Sequence, residues 1–236
     1  MLTLSIIIPV YNEDRTIRQI LNKVAQVRLP GSIKKEVIVV SDGSTDNTDK
    51  VLSGFKDIEK FKILRHEKNK GKGAAIRTGL KYATGDAVII QDADLEYDPA
   101  DYSKLLEPIL QDKAVVVYGS RLSNYPLRLW GKNRTVLPIH LMANKGLTWF
   151  TNLLYGSNLT DMETCYKLFR KEALQKISLE SKRFEFEPEI TAKILKLGIS
   201  IVEVPIKVSP RTYQEGKKIG FLDGFLAIWT LIKYKF

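Results

Sequence analysis

Apolar, β-branched runs recur through the first half of the chain, at residues 4–10, 36–40, 61–64, 87–90 and 114–118. Between them, residues 16–27, 48–55, 74–83 and 99–110 alternate with a helical period. Continuous apolar strands separated by amphipathic helices predict an α/β fold, with a mostly parallel central sheet flanked by helices on both faces. Such sheets bind ligands outside the carboxyl ends of their strands. The loops that follow these strands read YNEDRT, SDGSTDNT, HEKNKGKG and QDADLEYD, all polar, and they converge on one edge.

The second half is less regular. Residues 128–156 are apolar and aromatic with basic residues at their start, and DMETCYKLFR (161–170) reads as a strand entered from an acidic turn. FEFEPEITAKILKLG (184–198) predicts a helix beginning near Pro188 and stopped by Gly198. A further strand follows at 199–208, with Pro205 marking a bend or an edge. The last apolar stretch places Phe221, Phe225, Ile228, Trp229 and Ile232 at helical spacing and ends in Lys233 and Lys235.

With 236 residues, 44% of them hydrophobic, the chain can bury a sizeable core. Its net charge of +10 points to an anionic partner: nucleic acid, a phosphorylated small molecule or an acidic membrane face. No nucleic-acid motif is present, and the basic residues gather in the loops suited to phosphate. A single cysteine, Cys165, excludes an internal disulfide, and two histidines leave no Cys/His zinc site. The N-terminal apolar run is short, lacks a basic start and is broken after Pro9, so it reads as a first strand rather than a signal peptide. No window reaches the roughly 18 apolar residues of a spanning helix, which predicts a cytosolic protein, soluble or peripheral.

The sharpest chemical signal is QDADLEYDP (91–99), a dense run of acids directly after a buried strand. On an extended chain Asp92 and Asp94 face one side, and Glu96 continues the alternation. Two or three carboxylates there suit a hard divalent cation, Mg²⁺ or Mn²⁺, shared with substrate phosphates. Asp98 instead suits the cap of the helix that Pro99 opens. In VVSDGSTDNT, Asp42 is the first residue clear of its strand, where a carboxylate can accept from a ribose hydroxyl or a base N–H. NKGKGAAIRTG (69–79) fits neither nucleotide glycine fingerprint, yet Gly71, Lys72 and Gly73 at a helix start suit a phosphate or a close backbone approach.

SIIIPVYNE, VIVVSDGSTDNT, GKGAAIRTGLKYATGD, QDADLEYDP and GSR stand in the order and spacing of glycosyltransferase family 2, the inverting GT-A fold, which the chain resembles to about residue 230. DMETCYKLFR, FEFEPEI and RTYQEGKKIGFLDGF are similar to the dolichyl-phosphate mannose synthase and polyprenyl-phosphate glycosyltransferase branch. The resemblance implies a catalytic domain over residues 1–220 and a C-terminal amphipathic helix over 221–236. It implies transfer of a hexose of mannose or glucose type from a GDP- or UDP-sugar to polyprenyl or dolichyl phosphate, assisted by Mg²⁺ or Mn²⁺. A soluble or glycan acceptor, or a non-catalytic subunit serving a membrane protein partner, are the alternatives.

By position, the resemblance sets the donor nucleotide on Pro9, Tyr11, Glu13 and Asp42, with Lys72 and Arg77 nearby. It sets the metal on Asp92, Asp94 and Glu96, and acceptor or donor phosphates on Arg121, Arg134, Arg211, Lys217 and Lys218. Asp161 and Glu163 occupy the place of a catalytic carboxylate; a turn cap or a sugar-hydroxyl contact are the other readings. Relatives often carry membrane-spanning helices after the catalytic domain, and this chain stops at Phe236 without them. The aromatic stretches at 136–154 and 221–236 suit an interfacial helix on the anionic cytoplasmic face of a membrane, packing on the protein body, or an oligomer contact.

Overall fold

The computed structural model describes residues 2–56, 58–123, 138–211 and 220–236. Seven strands form one sheet: β1 (Thr3–Val10), β2 (Lys34–Asp42), β3 (Phe61–His66), β4 (Ala87–Ile90), β5 (Val116–Ser120), β6 (Lys167–Arg170) and β7 (Val202–Pro205). Their order is β3-β2-β1-β4-β6-β5-β7. All neighbours pair parallel except β6, which runs antiparallel to both β4 and β5. The β1 run reads apolar throughout because both its faces are covered: Ile6, Ile7 and Ile8 have no exposed surface. Pro9 is tolerated in this central strand because β4 pairs with β1 only as far as Ile7 opposite Ile90.

Around the sheet lie α1 (Ile17–Gln26), α2 (Thr48–Ser53), α3 (Lys72–Tyr82), α4 (Tyr102–Leu110), α5 (Pro138–Tyr155), α6 (Lys171–Gln175), α7 (Phe186–Lys196) and α8 (Phe221–Lys235). In α1, Ile17, Ile20, Leu21 and Val24 are buried at the spacing of one helix face. They join the main core with β1, β2, β4 and α4, while Ile38, Val40 and Ala75 form a smaller cluster under α3. A third cluster joins Leu147 of α5, Ala192 of α7, and Ala227 and Leu231 of α8.

Two elements differ from the sequence reading. The strand expected over 161–170 is confined to Lys167–Arg170, because residues 161–166 are spent on a turn that holds buried polar groups. The helix expected from Pro188 begins two residues earlier at Phe186. Proline is harmless there, since first-turn N–H groups have no intrahelical partner. Gly198, with φ of +71°, does end the segment. Pro205 lies on β7, the edge strand.

Candidate active site

The chain leaves β4 through Gln91, a fully buried amide. Its Oε1 accepts from the hydroxyls of Tyr102 (2.6 Å) and Tyr166 (2.7 Å), and its Nε2 donates to the Asp92 carbonyl (3.0 Å). This network fixes the start of the acidic turn. The chain then bends instead of continuing extended: Leu95 has φ of +66°, and Asp94 Oδ1 accepts the Glu96 N–H at 3.1 Å. The side-to-side alternation expected through Glu96 therefore stops at Asp94. Asp98 caps the next turn by accepting the Ala100 N–H at 3.1 Å.

Glu96 faces a different partner. Its Oε1 accepts the backbone N–H of Arg211 (2.9 Å) and its carbonyl accepts that of Ser209 (2.9 Å), so it anchors the segment after β7. It nevertheless lines the same cavity as Asp92 and Asp94 and is a charged neighbour of Asp94. Among the described residues no group of three or more His, Cys, Asp and Glu side chains is gathered to hold an ion alone. Asp92 and Asp94 still fit Mg²⁺ or Mn²⁺, because such ions commonly take one or two carboxylates and complete their shell with substrate phosphate and water.

Cations already brace both aspartates. Lys72 Nζ lies 2.9 Å from Asp92 and 2.8 Å from Glu187. Burial alone would lower the Lys72 ammonium, but Asp92 and Glu187 outweigh it and hold it well above its ordinary range. Arg211 reaches Asp94 at 3.0 Å and spans both oxygens of Glu13 at 3.1 and 3.2 Å. Burial, then the charges of Asp92 and Glu96, push the Asp94 carboxyl up to about 6.

The glycine loop proves to be a backbone approach. Gly73 and Ala74 donate their N–H groups to the carbonyls of Arg183 (3.2 Å) and Lys182 (3.0 Å), so the start of α3 is capped by protein and not open to phosphate. A Cβ on Gly71 would meet the Lys182 oxygen at 2.3 Å, and one on Gly73 the Ser181 oxygen at 2.7 Å. Asp42 works on the same loop. It accepts the N–H groups of Lys70 (2.9 Å) and Gly71 (2.7 Å) and contacts His66 Nδ1 at 2.6 Å. Its oxygens are thus engaged with protein, though the residue lines the cavity.

Asp161 is fully buried and holds Arg121, whose Nε and terminal nitrogen donate at 2.7 Å to one oxygen each; the Arg121 backbone N–H adds a third bond at 2.9 Å. Arg121 lines the cavity and Asp161 does not. The carboxylate expected to be catalytic thus has both its oxygens bonded to Arg121. Glu163, two residues on, does face the cavity. Burial, then Glu187, push its carboxyl up to about 7.

These groups surround one cavity of about 680 Å³ at the carboxyl edge of the parallel strands. Pro9, Tyr11, Glu13, Asp42, Lys72, Asp92, Asp94, Glu96, Arg121 and Arg211 all line it, as the sequence reading expected for a common site. Arg77 does not: it points to the other side of α3, where it donates to the Glu180 carbonyl at 2.8 Å. Arg134, Lys217 and Lys218 lie outside the described residues. The remaining wall is apolar, with Ile139, Leu147 and Phe150 from α5 and Phe225 and Ile228 from α8. Sequence reading missed Glu187, Gln91 and Arg183. Glu187 sits in the first turn of α7, where an acid reads simply as a dipole partner.

The chain is 32% identical to UDP-N-acetylglucosamine–dolichyl-phosphate N-acetylglucosaminyltransferase of Methanococcus voltae, over 98% of this chain and 95% of that one. It is 30% identical to the low-salt glycan biosynthesis hexosyltransferase Agl6 of Haloferax volcanii, over 94% of this chain and 51% of that protein. Glucosyl-3-phosphoglycerate synthase of Mycobacterium tuberculosis, solved with Mn²⁺ and UDP-glucose, shares the fold at a TM-score of 0.73 and 20% identity, over 99% of this chain and 79% of that one. The profile described as Glycosyl transferase family 2 matches residues 5–178. Its sheet order, its acidic turn after β4 and its relatives agree: the chain belongs to glycosyltransferase family 2 and has the GT-A fold.

Proposed function

We propose that this enzyme transfers a hexosyl group, with inversion, from a nucleoside diphosphate sugar to a polyprenyl phosphate of the dolichyl type. One observation carries the reading: a single cavity joins acidic and cationic loops on the sheet edge to an apolar wall made by α5 and α8. A charged donor and a lipid acceptor require those two surfaces to meet. The dolichyl-phosphate relative supports the acceptor class, and the UDP in its name and in the solved relatives favours a UDP-sugar over a GDP-sugar.

Asp92 and Asp94 would hold Mg²⁺ or Mn²⁺, which supplies charge to offset the leaving diphosphate. In this reading Lys72 and Arg211 add positive charge beside that group. Pro9, Tyr11 and Glu13 border the nucleotide, and Asp42 shapes its pocket by holding the 69–71 loop. Arg121, locked by Asp161, faces the acceptor phosphate. That nucleophile needs no general base, because a phosphomonoester with a second pKa near 6 is already largely ionised at neutral pH.

Among the described residues no helix is long and apolar enough to cross a membrane. The outer faces of α5 and α8 expose Met142, Trp149, Leu153, Leu222 and Trp229. In our reading this aromatic face, with Lys233 and Lys235 at its end, rests on an anionic bilayer and places the enzyme peripherally on the cytoplasmic side.

The test is transfer of radiolabelled sugar from UDP-GlcNAc, UDP-glucose or GDP-mannose to dolichyl phosphate in detergent, with Mn²⁺ or Mg²⁺. Organic-extractable product that disappears with Asp92→Asn supports the reading. Transfer only to 3-phosphoglycerate or another water-soluble acceptor overturns it.

A further inference from the structure

Two carboxylate oxygens in the cavity wall are left without a hydrogen-bond partner among the described residues: Glu163 Oε1 and Glu187 Oε2. Buried polar atoms are rarely left so, and each demands an explanation. Glu187 is only 5% exposed, and its other oxygen is fixed on Lys72. Its free oxygen is therefore not loosely solvated.

The position of the two acids identifies what they meet. Lys72 joins Asp92 to Glu187, and the charged neighbours of Glu163 are Glu187, Lys167, Arg121 and Asp161. Both acids line the same cavity as Asp92, Lys72 and Arg121. If Asp92 serves the diphosphate and Arg121 the acceptor phosphate, the group in transit shares this cavity with both acids.

Charge excludes the other ligand classes. Lys72 is already shared by two carboxylates, and the ammonium of Lys167 is tied to the carbonyls of Met162 and Thr164. Two further acid groups repel phosphate, and no cluster of three metal-binding side chains is present among the described residues. What suits unpartnered carboxylate oxygens is a neutral molecule rich in O–H or N–H donors.

We infer that Glu163 and Glu187 form the sugar-reading edge of the site, each accepting a hydrogen bond from a hydroxyl or amide N–H of the transferred hexose. The inference rests on the proposed donor class and adds the residues that select within it. A site built around such acceptors discriminates strongly against a sugar that lacks the matching donor, because the acid is then left buried and unpaired.

The experiment is calorimetric titration of the full chain with Mn²⁺, using UDP, UDP-glucose, UDP-GlcNAc, GDP and GDP-mannose. Wild type, Glu163→Gln and Glu187→Gln are compared. The expected result is a nucleotide sugar that binds wild type tighter than its own nucleoside diphosphate. Each variant is expected to lose about tenfold in that sugar nucleotide's affinity relative to the diphosphate's, and in Glu163→Gln the diphosphate's own affinity changes less than about twofold. An unchanged ratio of sugar nucleotide to diphosphate affinity in both variants overturns this inference and leaves the proposed function standing. A wild-type protein that binds none of the five ligands overturns both. Because Glu187 also braces Lys72, Glu163→Gln alone decides the matter if Glu187→Gln fails to fold.

Discussion

Asp161 grips Arg121 by two side-chain bonds of 2.7 Å each, with the carboxylate wholly sealed from solvent. Removing one partner of a buried pair strands the other. Asp161→Ala is therefore expected to cost roughly 3–5 kcal/mol of stability, measured by urea unfolding. Asp161→Asn keeps the shape and is expected to reduce turnover without altering the form of the pH–rate profile. A profile that loses an acidic limb would restore a general-base role.

Lys72 stands between two acids, so its loss leaves Asp92 and Glu187 facing each other. Lys72→Ala is expected to destabilise the free protein by on the order of 3 kcal/mol. Donor affinity should fall with it, and more steeply at low salt than at high. Thermal unfolding with and without UDP separates the two effects, and an unshifted melting temperature would contradict the bracing role.

Gly73 faces the Ser181 carbonyl across a gap too small for a methyl group. Gly73→Ala is expected to force the 181–183 segment off α3 and to cost about 1–3 kcal/mol. Hydrogen exchange at Gly73 and Ala74 should accelerate in any other variant that displaces this segment. Unchanged protection in Gly73→Ala at residue 74 would show that the contact is dispensable.

Glu163 gives a pH signature. Its carboxyl stands at about 7 in the fold against 4.5 for the unfolded group, with Glu187, Asp161, Lys167 and Arg121 as charged neighbours. The folded state holds this proton over a range where the unfolded chain has released it. The resulting stability is complete below pH 4.5 and is lost as pH rises through about 7. Glu163→Gln is thus expected to raise the melting temperature relative to wild type at pH 8, with the difference shrinking toward pH 5. An equal shift at both pH values would refute this.

Asp92 and Asp94 carry the metal prediction. With EDTA, or with both changed to alanine, affinity for nucleotide sugar is expected to drop at least tenfold, since the diphosphate loses its counter-ion. Calorimetry that finds equal affinity in all three conditions would remove the metal from the account.

The parallel half of the sheet was legible because its strands are doubly buried and read as unbroken apolar runs, as in Leu4 to Val10. The shared edge followed from where those runs end. What misled was local geometry under tertiary control. Extended-chain alternation carried the acidic face straight on to Glu96, but a left-handed Leu95 turns the chain there, and Glu96 stays a neighbour of Asp94 by a different route. Glycines 71 and 73 left phosphate and backbone approach both open, because a loop–helix junction looks alike whether an anion or a peptide carbonyl occupies it. Glu187 was invisible for a related reason: only the distant Lys72 reveals its purpose.

The seal over α3 also bears on where this protein can be divided. The family match ends at residue 178, yet the carbonyls that satisfy the Gly73 and Ala74 amides come from residues 182 and 183. Those residues are themselves moored by Glu185, and residues 180 and 181 by Glu189 on α7. A chain cut after Ser178 would open two amides at the start of α3 and lose the acid that steadies Lys72. The matched segment is thus not a self-sufficient module; its cavity is finished only when the later helix closes over it.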